Sequence, residues 1–279
     1  MSRTLRHALS SSQVSPNWLA LEFYNQNSPH LQGLETSPGS SSGSGDGVGV
    51  ILPDDHLAKI YPETGPLRRE LYKKHMRVLA LGRTVEERWF MAGNRLGKSW
   101  GVGAYETALH LTGLYPPWWD GIRFDIPPRV WVAGETKEKT RDAPQAKLTG
   151  RLVPEDGAAT GARDELYGLG NGMIPGRLIA HYKTGSLDGQ ITDLYVRHVS
   201  GGLALCQFKS YEQGVVAFAS NEIEFGWGDE EPPMDVYTEW VLRTMTTGGR
   251  ILLTATPLQG YTELVVHYLG EEGVLSVTE

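Results

Sequence analysis

Cysteine is almost missing from this sequence, with Cys206 the one example in 279 residues. That excludes a disulfide framework within the chain and fits a reducing compartment. Between Leu205 and Gln207, in a strand-like run, the thiol reads as a packing residue rather than a nucleophile. A long apolar run and a signal-peptide pattern are also missing, so a soluble, intracellular protein with no membrane partner is expected. Excess positive charge is missing too. The formal net charge is −7, whereas a protein that holds nucleic acid by charge alone is usually basic. Any contact with DNA must then be local and transient.

What is present is a 40% apolar content, enough for a sizeable core in one or two domains. Residues 1 to 36 are polar and irregular, apart from an apolar patch, Trp18 to Tyr24, that follows Ser15-Pro16. This patch reads either as a docking helix or as a loosely attached surface segment. Thr36 to Val50, TSPGSSSGSGDGVGV, is a Ser/Gly-rich linker that cannot build a core. The expected division is a flexible extension over 1–50, a working domain over 51–268, and the start of a further linker over 269–279.

The domain is organised around Glu87 to Trp100, ERWFMAGNRLGKSW. Ala92, Gly93, Asn94, Arg95, Leu96, Gly97, Lys98 and Ser99 form a phosphate-binding loop with Ala in place of the usual first Gly. Small residues at its ends let the backbone curl so that successive N–H groups face the phosphates of a nucleotide. Lys98 adds a positive charge and Ser99 a hydroxyl ligand for Mg²⁺, so ATP and Mg²⁺ are the expected cofactors. The apolar run Arg88 to Met91 before the loop suits a buried strand. Val102, Tyr105 and Leu109 after it share one helix face, up to Gly113 and Pro116-Pro117. Strand, loop and helix in this order place the helix N-terminus at the anion.

Other elements follow from pattern. Leu67 to Leu81 reads as a helix with Leu71, His75, Val78 and Leu79 on one face. It leads to the loop strand, so His75 or Tyr72 either contacts adenine or packs on the sheet. Trp118 and Trp119 read as a packed corner, with nucleic-acid stacking as the alternative. Arg129 to Ala133 is a second buried strand. A short polar helix runs from Lys137 to Gly150, with Arg141 and Arg151 as mobile cations. Residues 153 to 176 are Gly-rich and carry no pattern, whereas 194–199 and 203–208 form a β-hairpin around Ser200-Gly201-Gly202.

Ile223 to Trp227 reads as a short strand, with Asp229, Glu230 and Glu231 directly after it. A P-loop ATPase needs one carboxylate there for Mg²⁺ and a second to orient and deprotonate water; Asp229 takes the first role and Glu230 the second. A strand from Arg250 to Thr256 brings Thr254 and Thr256 to the same sheet edge, as phosphate sensors or as ordinary strand residues. The fold class is α/β: a P-loop NTPase of the ASCE/RecA-like kind, with a central, mainly parallel sheet flanked by helices.

The motifs ERWFMAGNRLGKS, HLTGLYPPWWDG, VWVAGET, SYEQG, GWGDEEPP and TATPLQG stand in this order between residues 60 and 268. Together they resemble the ATPase domain of the large terminase subunit of tailed bacteriophages, the motor that packs DNA into the capsid. The resemblance implies that Lys98, Ser99, Asp229 and Glu230 carry the roles argued above. It makes Arg95 a catalytic arginine, a residue that some relatives place one position earlier, at Asn94 here. It further implies an activating arginine in trans, with Arg151 and Arg141 as candidates, and base recognition near His75, where relatives often carry Gln. Implied partners are double-stranded DNA, a portal protein and a small terminase subunit, with a homo-oligomeric ring on the portal. The implied location is the host cytoplasm, with transient binding to the procapsid. The family's nuclease domain would follow residue 270, so the motor half is what this chain is expected to supply. A helicase-like DNA-dependent ATPase and a nucleotide-dependent assembly protein are the competing readings.

Overall fold

The computed structural model describes residues 56–152, 168–257 and 260–275. The N-terminal patch, the Ser/Gly linker, most of the patternless stretch (153–167) and residues 276–279 lie outside them.

The chain begins with a short helix, α1 (His56–Lys59). The expected helix from Leu67 divides into a 3₁₀ turn, Arg69–Tyr72, and α2 (Lys73–Leu81). Tyr72, at φ −114° and ψ 40°, breaks the α-helical path between them. Strand β1 (Glu87–Trp89) enters the phosphate loop. The loop feeds a π-helical segment, Lys98–Ala104, that continues as α3 (Tyr105–Thr112). Gly113, left-handed at φ 74°, ends α3 as the sequence suggests.

After β2 (Arg129–Gly134) the expected helix is present but irregular. It comprises α4 (Lys137–Thr140), capped by the Thr136 side chain, a π turn over Arg141–Gln145 that contains Pro144, and α5 (Ala146–Thr149). Proline offers no N–H and crowds the preceding turn, and the chain widens there. The segment is less polar in its placement than in its composition, since Thr140, Pro144, Gln145 and Leu148 are buried.

A three-stranded antiparallel wing follows: β3 (Ile179–Thr184), β4 (Ile191–Arg197) and β5 (Leu203–Ser210). The hairpin β4–β5 is the expected one, but β3 is not. Its last four residues are exposed, so it carries no burial alternation by which a sequence could announce it. The remaining elements are β6 (Phe225–Asp229), α6 (Met234–Met245), β7 (Arg250–Thr254) and α7 (Glu263–Leu275). The boundary set after residue 268 falls inside α7.

The seven strands form one sheet in the order β1-β7-β6-β2-β5-β4-β3. Pairs from β1 through β5 are parallel, and β5–β4 and β4–β3 are antiparallel. Strand β7 is thus inserted between the phosphate-loop strand β1 and the acidic strand β6. Alternate residues feed two cores. Val130, Val132, Trp227 and Leu252 pack with Val102, Tyr105 and Leu109 on one face. Trp89, Trp131, Ile251 and Leu253 pack with Trp240 and Tyr268 on the other. That two-sided burial is what a parallel sheet requires.

Strand β6 lies two residues later than its pattern suggests, so Asp229 is its last residue rather than the second beyond it. Glu224 is held outside by Arg129, whose guanidinium donates to its carboxylate at 2.8 Å. The glycines supply close contact: a Cβ on Gly228 would stand 2.6 Å from Leu253. Apolar content alone cannot register that requirement.

Candidate functional site

Lys98 starts the π-helical segment directly after Gly97, which is left-handed at φ 75°. Its side chain is buried, with 6% exposure, and Nζ donates to the Gly93 carbonyl at 3.0 Å and to Thr256 Oγ1 at 2.8 Å. Thr256 in turn donates to the Ala92 carbonyl at 2.9 Å, with Asn94 Oδ1 at 3.1 Å. The segment after β7 therefore closes on both ends of the phosphate loop through a single hydroxyl. Thr256 lies just past the strand rather than in it, and that placement is what lets it reach the loop.

Asp229 is buried at the end of β6, paired across the sheet with Thr254. Thr254 Oγ1 accepts from Trp227 Nε1 at 2.8 Å and donates to Asp229 Oδ1 at 3.0 Å. One carboxylate oxygen is thereby fixed and the second is left to face the site.

Glu230 adopts φ 70°, which is unusual for a residue with a side chain. Both sides of its backbone are held: its N–H donates to the Thr254 carbonyl at 3.2 Å, and its carbonyl accepts from the Tyr211 hydroxyl at 3.1 Å. The turn aims Glu230 away from the strand path that Asp229 follows. Glu231 leaves the site and accepts a hydrogen bond from the Thr262 hydroxyl.

Electrostatics join the three residues. Burial pushes the Glu230 carboxyl above its ordinary range and Asp229 adds to this, against the opposing pull of Lys98 and of the Thr256 backbone N–H. Burial lowers the Lys98 ammonium, while Glu230 and Asp229 oppose that shift. Lysine and both acids, separated by about 130 positions in sequence, act on one another in one place.

A family model described as "Terminase large subunit, T4likevirus-type, N-terminal" matches residues 89–278. The chain belongs to this family. The large subunit of the terminase of Salmonella phage P22 is 36% identical over 216 residues, which cover 71% of this chain and 41% of that protein. The solved large terminase of a thermophilic bacteriophage aligns with 66% of this chain and 39% of that one, at a TM-score of 0.42 and 13% identity. This terminase chain therefore spans about two fifths of the length of the relatives it matches.

The oxygen donors of the terminase chain suit a hard cation such as Mg²⁺: the Ser99 hydroxyl on the first turn after the loop, and the Asp229 carboxylate with one oxygen uncommitted to Thr254. Arg95 shares the strained backbone of Glu230, at φ 64°, and its side chain is exposed at the tip of the loop. Neighbouring Asn94 reaches Thr256 instead.

The surroundings of the other singled-out residues are as follows. His75 is 3% exposed, with Nδ1 2.6 Å from the Tyr61 hydroxyl and Nε2 3.0 Å from the Leu96 carbonyl. Both nitrogens are engaged within the chain, an arrangement that matches the packing alternative for this ring. Arg141 is not a mobile cation, because its guanidinium binds Asp142 and the Asp188 carbonyl. Arg151 is not one either: its Nε is buried and its charge acts on Lys147 and Asp142. Trp119 is buried, and its Nε1 donates to the Ile122 carbonyl; Trp118 stacks on Tyr105. The pair is a packed corner.

Sequence reasoning missed two residues. Tyr211, in the SYEQG motif, fixes the Glu230 turn, and only the partner carbonyl reveals its role. Lys147 lies within the field of both acids, on a helix whose composition gave no such sign.

Proposed function

We propose that this chain is the ATP-hydrolysing motor portion of a phage DNA-packaging terminase. The observation that carries the reading is the convergence of Lys98, Asp229 and Glu230 beyond the carboxyl ends of the parallel strands β1 and β6, which flank β7, where ligands of open α/β sheets bind. On this reading the loop amides and Lys98 bind the triphosphate, and Ser99 and Asp229 would hold Mg²⁺, which would supply positive charge against that of the phosphates.

Glu230 orients a water molecule in line with the γ-phosphorus and takes its proton. As the new P–O bond forms, the bond to the bridging oxygen breaks, and its electron pair leaves with ADP. A carboxylate raised by burial is a better base than an exposed one, and its turn is already set, so little reorganisation is required. When Lys98 swings to phosphate it gives up Thr256, and the contact between β7 and the loop changes with nucleotide state. Arg95, exposed at the loop tip, would act as the cation that meets the γ-phosphate charge. The finer reading includes an activating arginine in trans within a portal-bound ring, work on double-stranded DNA with a small terminase subunit, and action in the host cytoplasm at the procapsid.

The test is turnover of ATP with Mg²⁺. Glu230→Gln is expected to lower kcat by about 10²- to 10³-fold, with nucleotide affinity held within about twofold. Equal rates in the two proteins would refute hydrolysis and favour a nucleotide-dependent assembly protein. Stimulation by duplex DNA with empty procapsids is expected, and its absence would count against packaging.

A further inference from the structure

The turn that carries Glu230 is held by a side chain from the end of a strand that does not pair with β6. Tyr211 directly follows β5, and β2 lies between β5 and β6. Its hydroxyl reaches past the end of β2 and donates to the Glu230 carbonyl at 3.1 Å, with the Ala133 carbonyl at 3.4 Å as a second, longer acceptor. Glycine keeps that path open: a Cβ on Gly228 would stand 2.8 Å from the hydroxyl. Burial, and then Asp229 and Glu230, push the phenol well above its ordinary value, so it stays protonated and remains a donor.

Tyr211 is itself fixed from several sides. Its ring is buried, with its centroid 6.5 Å from that of Trp240. The 3₁₀ turn that it opens, Tyr211–Gln213, is closed by a capping box in which Gln213 Oε1 accepts from Ser210 N at 2.8 Å. Glu212 then bonds the corner after β2. Its N–H donates to the Glu135 carbonyl at 3.2 Å, and its carboxylate accepts from Lys137 N, at the start of α4, at 2.8 Å. Through one hydroxyl, Glu230 is thus tied to a corner built from two other motifs, SYEQG and VWVAGET. The tie works against a strained backbone, because φ 70° is a value that side-chain-bearing residues seldom adopt unless their surroundings impose it.

We propose that Tyr211 is a positioning residue for the general base: its hydroxyl holds the turn from which the Glu230 carboxylate meets the attacking water. The inference rests on the hydrolysis reading above. Without the hydroxyl, the peptide after Glu230 is free to rotate toward ordinary backbone angles, and the carboxylate swings with it. Tyr211 neither binds nucleotide nor takes a proton. It keeps the carboxylate within the narrow range of positions from which in-line attack proceeds, so its effect falls on the chemical step and not on nucleotide binding.

The test is turnover of ATP with Mg²⁺, in the whole chain, for Tyr211→Phe, Glu230→Gln and the two combined. Phenylalanine keeps the ring beside Trp240 and removes the hydroxyl alone. Tyr211→Phe is expected to lower kcat by about tenfold, with KM and the affinity for ADP held within about twofold. Added to Glu230→Gln it should lower the residual rate by less than about twofold, because the carboxylate through which it acts is gone. A merely structural tyrosine would weaken nucleotide binding, or slow both backgrounds equally. Gln213→Ala, on the exposed side of the same turn, loosens Tyr211 without entering the core and should show the same pattern at about threefold; it supplies the answer if Tyr211→Phe does not fold. Unchanged kcat in the variants that fold, or an equal loss with and without Glu230→Gln, would overturn the proposal. If Glu230→Gln itself leaves turnover unchanged, the hydrolysis reading has failed. If it lowers turnover while Tyr211→Phe does not, only the positioning role has.

Discussion

His75 shows how one buried ring can decide the shape of a binding loop. The Leu96 carbonyl can only accept, so Nε2 carries the proton and Nδ1 is left as an acceptor toward the Tyr61 hydroxyl, whose single hydrogen is shared with the Gly101 carbonyl at 2.8 Å. Burial pushes the imidazole down to about 4. A folded value below the ordinary one means that the unfolded chain binds the proton first. Stability is therefore complete above about pH 6.5 and declines as pH falls toward 4, by about 3 kcal/mol at most from this residue. His75→Gln should remove that share of the acid-side loss, read as the difference between urea-unfolding curves of the two proteins from pH 7 to 4. Parallel pH profiles would refute it. The residue type was visible in the sequence, but its role was not. A histidine on a helix face beside a binding loop looks the same whether it faces the base or the underside of the loop, and only Tyr61, from a distant segment, settles which. The left-handed turns at Arg95 and Glu230 were hidden for a similar reason, since neither residue type favours positive φ; at Glu230 the hydrogen bonds to Thr254 and Tyr211 hold it.

The segment most exacting in its packing is the π-helical turn after Lys98. A Cβ on Gly101 would stand 2.3 Å from the Tyr61 hydroxyl, and one on Gly103 would stand 2.1 Å from the Trp227 indole. Gly103 lets the segment settle on β6, and Gly101 lets it settle on Tyr61 and His75. Gly103→Ala should therefore destabilise by about 2 to 3 kcal/mol despite alanine's better helix propensity, measured by chemical denaturation. An unchanged midpoint would show that Trp227 can move aside. The strand, loop and helix around the phosphate loop were legible because apolar periodicity and glycine placement agree there. Strand β6 was misplaced by two residues because Gly226 and Gly228, which weaken a strand signal, are required by Trp240 and Leu253. Strand β3 was missed because an exposed edge strand leaves no hydrophobic record.

Across the whole molecule, a buried charge cluster ties the phosphate-loop strand to the helices behind it. Arg88 and Glu106 are both fully buried and doubly bonded, at 2.8 and 3.0 Å, and Arg88 also donates to the Val78 carbonyl on α2 at 2.8 Å. His110 adds a contact to Glu106 at 3.3 Å. Burial pushes the Glu106 carboxyl up, but Arg88 and His110 outweigh it and hold the group below its ordinary value. Glu106→Ala would strand a guanidinium in the core and is expected to cost about 3 to 5 kcal/mol, whereas Arg88→Met with Glu106→Leu should recover most of that. Calorimetric melting of the single and double variants checks this, and a double variant no more stable than the single one would refute it.

By itself the sequence determined the phosphate loop, the order of the motifs that follow it, the acidic strand end and the family resemblance, because each is written in residues adjacent along the chain. Tertiary structure alone decided that β7 lies between β1 and β6, that Thr256 bonds Lys98, and that both nitrogens of His75 are engaged beneath the phosphate loop. Those depend on which distant segments come into contact and at what separation. Excluded volume and hydrogen-bond satisfaction decide such contacts for the folded chain as a whole, and no local stretch of residues records them.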